Sequence, residues 1–180
     1  MTIPTHVFRE DDIRGLVATE LTPPFAEALG RGYGDYLLEH NHGAQSVVLG
    51  RDHRLSSTGL ARAFSAGVRS RGLDVVDVGV VPTPLTYFAA NVLPVDGLCM
   101  ITGSHNPPEY NGFKIGLGKT TLAGPEVQAL KERVLALDRS PPPPARRPGV
   151  ETSFDIYPLY LHTTLSLRFA VPSVCVMVCR

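Results

Sequence analysis

No excess of charge of either sign marks this chain. Its 17 Lys and Arg residues balance 17 Asp and Glu residues over 180 positions, so nothing in the overall balance draws it to nucleic acid or to a membrane surface. Long apolar runs are missing as well. The longest, Val171 to Cys179, falls well short of the ~20 residues that span a bilayer. The opening residues, MTIPTHVFREDDIRG, lack the apolar core of a secretory signal. Cysteine is sparse and odd in number, at Cys99, Cys175 and Cys179. Such usage fits a reducing cytoplasm better than a disulfide framework. Cys175 and Cys179 have no His or Cys partners nearby and read as packing residues in a β-like run rather than as a zinc site. A cytoplasmic protein with no nucleic-acid or membrane partner is expected.

What is present suits a globular α/β protein. The hydrophobic fraction is 43%, enough for a core, and the length fits one domain or one domain with part of another. Helical spacing runs from Pro23 to His40, with Phe25, Leu29, Tyr33, Tyr36 and Leu37 near one face and Thr22 placed to cap. Leu60, Phe64 and Val68 give a second helix from Ser56 to Arg71, with Ser56 or Ser57 as its cap. Further helices are expected at Thr83 to Val92 and Glu126 to Leu137. Short β-rich runs at Ser46 to Gly50, Leu73 to Val78, Gly97 to Thr102 and Gly112 to Leu117 alternate with them. This order predicts an α/β fold, a mainly parallel or mixed sheet sandwiched by helices.

Residues 1–139 are therefore read as one domain. Residues 140–150 contain four consecutive prolines, which break a helix and favour an extended linker. Residues 151–180 are too few for a core of their own. A helix at Ile156 to Leu167 and a strand at Ser173 to Cys179 read as the incomplete start of a second α/β domain. That abrupt ending leads to the expectation of a truncated chain.

One segment concentrates polar and turn-forming residues just after a strand: Thr102-Gly103-Ser104-His105-Asn106-Pro107-Pro108-Glu109-Tyr110-Asn111-Gly112-Phe113-Lys114-Ile115. Ligands of open α/β sheets bind beyond the carboxyl ends of the strands. Gly103 permits a tight turn, and Pro107 with Pro108 stiffens the exit and confines Asn106 to extended geometry. Ser104 is thereby presented on a rigid turn, and Lys114 on the next strand brings a point charge suited to phosphate. By composition alone, Ser104 and His105 are equally well read as solvated turn residues.

The segment resembles the active-site loop of the α-D-phosphohexomutases, the phosphomannomutase/phosphoglucomutase family. Two further stretches resemble that family. Phe8-Arg9-Glu10-Asp11-Asp12-Ile13-Arg14-Gly15 is similar to its N-terminal F-R-x-x-D-I-R-G, and Gly50-Arg51-Asp52-His53-Arg54-Leu55-Ser56-Ser57 to its G-x-D-x-R-x-S. The family often has glycine where this chain has His53. Taken alone, the first of these stretches reads as a surface ion-pair cluster and the second as loop bracing and helix capping. The resemblance covers about Phe8 to Leu137 and corresponds to the family's domain I.

The resemblance implies an isomerase of the intramolecular phosphotransferase kind. Hexose 1-phosphate and 6-phosphate, of mannose or glucose, are interconverted through a phosphoserine and a bisphosphate. Ser104 is the implied phosphoserine. Arg14 and Lys114 are the implied phosphate-binding cations, Lys114 also a general acid or base. His105 and Asn106 are implied donors around the phosphate. Mg2+ is the implied cofactor, touching this chain only through the phosphate on Ser104. The family's D-x-D-x-D-R metal loop, its sugar-reading loop and its Arg-Ser-Gly-Thr phosphate loop do not occur here. The chain alone is expected to have little activity, with its partners being hexose phosphate and the missing C-terminal domains. Two alternatives stand beside this reading: a non-catalytic domain that binds a sugar phosphate or a protein, and, within the family, phosphoglucosamine mutase.

Overall fold

The computed structural model describes residues 3–140, 143 and 145–168. The strand expected at Ser173 to Cys179 lies outside the described residues, as do Cys175 and Cys179. Among the described residues seven strands form one mixed sheet: β1 (Ile13–Leu16), β2 (Ser46–Arg51), β3 (Asp74–Val80), β4 (Gly97–Ile101), β5 (Tyr110–Leu117), β6 (Thr120–Thr121) and β7 (Glu151–Ser153). Their order is β1-β5-β4-β2-β3-β7, with β6 paired to β5. The core strands β4, β2 and β3 run parallel, and β5 and β1 turn antiparallel at one edge. Among the described residues, four α-helices lie between strands, α1 (Pro23–His40), α2 (Leu55–Arg69), α3 (Thr83–Val92) and α4 (Pro125–Arg139), and α5 (Tyr157–Arg168) follows β7. None of the helices among the described residues is long and apolar enough to cross a membrane.

Strand alternation sorts the core into two layers. Successive side chains point to opposite faces, so Val47 and Leu49 of β2 join the core under α1, α2 and α4, while Val48 joins the core under α3. Cys99 and Ile101 of β4 face the first layer and Leu98 the second. The larger layer holds a chain of aromatic rings. Phe25 lies 6.5 Å from Phe113, Phe113 5.7 Å from Phe64, and Phe64 5.8 Å from Tyr33. The Tyr33 hydroxyl, fully buried, donates to the Gly116 carbonyl at 2.7 Å.

Helix α1 has the expected extent and buries the expected face, and Thr22 accepts a cap bond from the Phe25 N–H at 3.4 Å. It meets α2 where Gly30 and Gly67 face each other's backbones. A methyl group on Gly67 would press on the Glu27 carbonyl oxygen and sit 2.8 Å from the Arg31 nitrogen. One on Gly30 would press on the Phe64 carbonyl oxygen and sit 3.1 Å from the Val68 nitrogen. The two helices touch because these positions carry no side chain.

Three sequence expectations are corrected. Helix α2 is not capped by Ser56 or Ser57: its cap residue is Arg54, and that cap makes no side-chain hydrogen bond. Strand β1 was not anticipated, because its four residues, Ile13-Arg14-Gly15-Leu16, are too few to show a periodicity. Residues 151–153, expected to open a second domain, form the outer strand of this sheet, pairing Val75 with Glu151 and Asp77 with Ser153. All three are exposed, so no apolar pattern announces them. Backbone bonds from Ala145 to Ser70 and from Gly149 to Arg69 tie the proline-rich segment to the end of α2. Beyond β7, Ile156 is buried in the second core layer and the Tyr160 ring meets Phe88 of α3 edge-on at 5.2 Å.

Candidate active site

The loop after β4 carries Ser104. Its backbone has φ 53, and Ser104 is the one non-glycine residue with positive φ among the described residues. That conformation crowds a Cβ and is uncommon for serine. His53 keeps a negative φ, so the position where the family often has glycine makes no such demand here. Ser104 donates its N–H to Thr102 Oγ1 at 3.0 Å, and its Oγ lies 3.0 Å from His105 Nδ1. A cavity of about 570 Å3 opens beside it, lined by Ser104, Asn106, Asp52, His53, Arg54 and Ser56 among others.

Arg54 organises this loop from across the crevice. Its guanidinium donates to four loop carbonyls: Asn106 at 2.6 Å, Pro107 at 2.7 Å, Tyr110 at 3.0 Å and Ser104 at 3.2 Å. Gly103 is needed for a reason different from the expected one. It does not take positive φ; instead, an added methyl would overlap the Arg54 guanidinium, with Nε at 2.6 Å.

Asp52 holds Arg54 from the other side. Its carboxylate accepts from the Arg54 N–H at 3.1 Å, Arg54 Nε at 3.2 Å, the Gly103 N–H at 3.2 Å and the Ser57 hydroxyl at 2.5 Å. Burial pushes its pKa up, but the hydrogen bonds from Ser57, Arg54, Thr102 and Gly103 outweigh burial and hold it below the ordinary 3.8. A carboxyl depressed on folding contributes stability that is present above its unfolded pKa and lost as pH falls through its folded one. Acid therefore loosens this bracket. Hydrogen exchange at the Gly103 amide is expected to speed up beyond its intrinsic trend as pH falls below the ordinary aspartate range. Asp52→Asn should flatten that dependence, and an unchanged profile would show that Asp52 does not hold the loop. Asn111, fully buried, adds a second tie: its Nδ2 donates to the Ser56 and Ser57 hydroxyls at 2.9 Å each.

The two expected cations are brought together by strand pairing. Arg14 of β1 stands opposite Gly112 of β5, so Arg14 and Lys114, two residues further along, share one face. Asp12 joins them. Its Oδ2 accepts from Arg14 and, at 3.2 Å, from Lys114 Nζ. The Asp12 side chain is 10% exposed, and the buried Arg14 Nε has no hydrogen-bond partner. Arg14, Lys114 and His105 do not line the Ser104 cavity. The cation pair and the serine loop are linked through β5, whose first residue, Tyr110, gives its carbonyl to Arg54.

Residues 5–139 match the family described as phosphoglucomutase/phosphomannomutase, alpha/beta/alpha domain I. The chain belongs to that family. It is 47% identical over 133 residues to a phosphomannomutase/phosphoglucomutase of Pseudomonas aeruginosa, covering 74% of this chain and 28% of that protein. To a phosphoglucomutase of Neisseria meningitidis it is 39% identical over 173 residues, covering 95% and 36%. The crystal structure of a phosphoglucomutase/phosphomannomutase family protein from Burkholderia thailandensis superposes with a TM-score of 0.83 at 36% identity, covering 92% of this chain and 36% of that one. The chain thus spans roughly a third of the length of these family members.

Asp12, Asp52, Arg54 and Asn111 were not singled out as site residues from the sequence, although each lies inside a motif that carried the resemblance. Their work is to bind other side chains and carbonyls, and residue type alone does not reveal it. As to the implied Mg2+, no three His, Cys, Asp or Glu residues converge among the described residues. Asp52, whose carboxylate bonds the loop at Gly103, already receives four donors. The side chains around Ser104 do not by themselves form the oxygen cage that this ion prefers.

Proposed function

We propose that Ser104 is the phosphoryl carrier of a phosphohexomutase that interconverts hexose 1-phosphate and hexose 6-phosphate, of glucose or mannose. The observation that carries this reading is the left-handed serine at the carboxyl end of β4, held on a braced loop beside a crevice. In the resting state Oγ bears a phosphoryl group. A free sugar hydroxyl attacks it, the P–Oγ bond breaks and a P–O bond to the sugar forms. The hydroxyl proton passes to a base, and Oγ leaves as the serine alkoxide or takes a proton as it leaves. His105 Nδ1, 3.0 Å from Oγ, is placed to give that proton, and Lys114 in its neutral form is the candidate base, becoming a cation as it takes the hydroxyl proton. The bisphosphate then returns its other phosphoryl group to Ser104.

Phosphoryl transfer depends on positioning and on cancelling negative charge. Arg14 presents a planar guanidinium to phosphate oxygens, and Lys114 a mobile point charge. Asn106 lines the crevice and donates to the phosphate. Mg2+ would add positive charge at the transferring group, meeting this chain only through the phosphate on Ser104. In this reading the remaining metal ligands and the sugar-reading groups belong to the rest of the family's architecture. The 180-residue chain by itself then turns hexose phosphate over far more slowly than a full-length relative.

Incubation with glucose 1,6-bisphosphate and Mg2+, followed by intact-mass measurement and peptide mapping, tests the carrier. One phosphoryl group on Ser104 is expected, and none on the Ser104→Ala protein. Label retained by Ser104→Ala would sink the assignment. A coupled assay for glucose 6-phosphate formed from glucose 1-phosphate tests the second point, and turnover matching a full-length relative would refute it.

A further inference from the structure

Four backbone carbonyls of one loop, from Ser104, Asn106, Pro107 and Tyr110, converge on a single guanidinium. Carbonyl oxygens so gathered repel one another unless a cation lies between them. The Arg54 side chain is only 15% exposed. The same loop contains the one non-glycine residue with positive φ among the described residues, and that residue offers its own carbonyl to Arg54. Gly103, next to it, leaves the space in which the guanidinium lies. Asp52 orients Arg54 through both its backbone N–H and its Nε.

We infer that Arg54 is a positioning residue that holds Ser104 in its left-handed conformation, with Asp52 as its anchor. This rests on the reading of Ser104 as phosphoryl carrier, and it adds what aims the carrier. The serine does not choose this backbone by itself. The gathered carbonyls turn its peptide planes, and the strain is maintained by hydrogen bonds from a residue 50 positions away. Oγ is then presented in one direction rather than an ensemble, which is what positional catalysis needs. Lysine cannot replace the arginine, because a single ammonium with three donors does not match four carbonyls spread across a planar fork.

A double substitution read by stability tests this without any catalytic measurement. At a left-handed position glycine is favoured over alanine even after its extra loss of backbone entropy, so the folding equilibrium constant of Ser104→Gly should exceed that of Ser104→Ala by up to about tenfold. In an Arg54→Met background the loop is free to relax, and the preference should vanish or reverse in favour of alanine. NMR gives an independent readout. The strong intraresidue Hα–HN cross-peak of a positive-φ residue should be present at Ser104 and be lost in Arg54→Met, while the dispersed signals of the core persist. Arg54→Lys should give the same two results if Arg54→Met does not fold.

A glycine preference of equal size in both backgrounds would overturn the inference. So would a cross-peak that survives the loss of Arg54. Unfolding of both Arg54 variants would also overturn it, since the role is confined to this loop. Because neither readout involves phosphate, failure here leaves the carrier assignment standing, and failure of the bisphosphate labelling leaves this one standing.

Discussion

Gly67→Ala is expected to destabilise the protein by about 3 kcal/mol, the upper range for forcing a methyl group into a packed interface. The sign makes this prediction informative. In an isolated helix, replacing glycine by alanine gains about 1 kcal/mol. At Gly67 the added methyl meets the Glu27 carbonyl and the Arg31 nitrogen of α1, which are backbone atoms and have no rotamer to move to. The helices must separate, and Phe64 and Val68 of α2 lose their fit against the sheet. Gly59 of the same helix serves as the control, because nothing lies within 4 Å of a methyl group placed there. Gly59→Ala should raise stability by up to about 1 kcal/mol. Urea denaturation of the two variants beside the parent decides the matter, and equal shifts in one direction would mean that the helix crossing does not depend on Gly67.

Asp12→Ala is expected to cost about 2 to 3 kcal/mol, somewhat below the range for breaking a fully buried ion pair. Arg14 and Lys114 both bond one oxygen of Asp12, and their side chains are partly exposed, hence the lower figure. Without the carboxylate two like charges share one face of β1 and β5. Repulsion of that kind is screened by salt, so the loss should shrink in high salt. The same variant frees two cations for an anion. Inorganic phosphate should therefore raise the Tm of Asp12→Ala more than that of the parent, by binding linkage. A variant with parental stability and no added response to phosphate would show that Asp12 does not compensate this pair.

The acid sensitivity expected at Asp52 and the strain at Ser104 belong to the same bracket. The carboxylate holds Arg54, Arg54 holds the carbonyls, and the carbonyls set the serine. Asp52 and Arg54 are neighbours in sequence, but their ties to the serine loop cross 51 and 50 residues, and each is a polar contact rather than a packing pattern.

That difference separates what the sequence determined from what the tertiary structure decided. Helices α1, α3 and α4 and the central strands were legible because their cause is local: an apolar residue every third or fourth position, or every second, reports the face that will be buried. Ser104, Arg14 and Lys114 stood out because their motifs are long and specific. Strands β1 and β7 had no such signal. Both are short, poor in apolar alternation, and held by backbone hydrogen bonds to distant partners, β5 and β3. The cap of α2 was misread because Ser56 and Ser57 have capping chemistry, yet both hydroxyls accept from the buried Asn111, and Ser57 also donates to Asp52. The sequence placed a serine in a loop after a strand. Only the folded chain brought Arg54 against four of that loop's carbonyls and gave the serine its left-handed backbone, because a hydrogen bond between remote segments depends on where the fold puts them and not on the residues beside them.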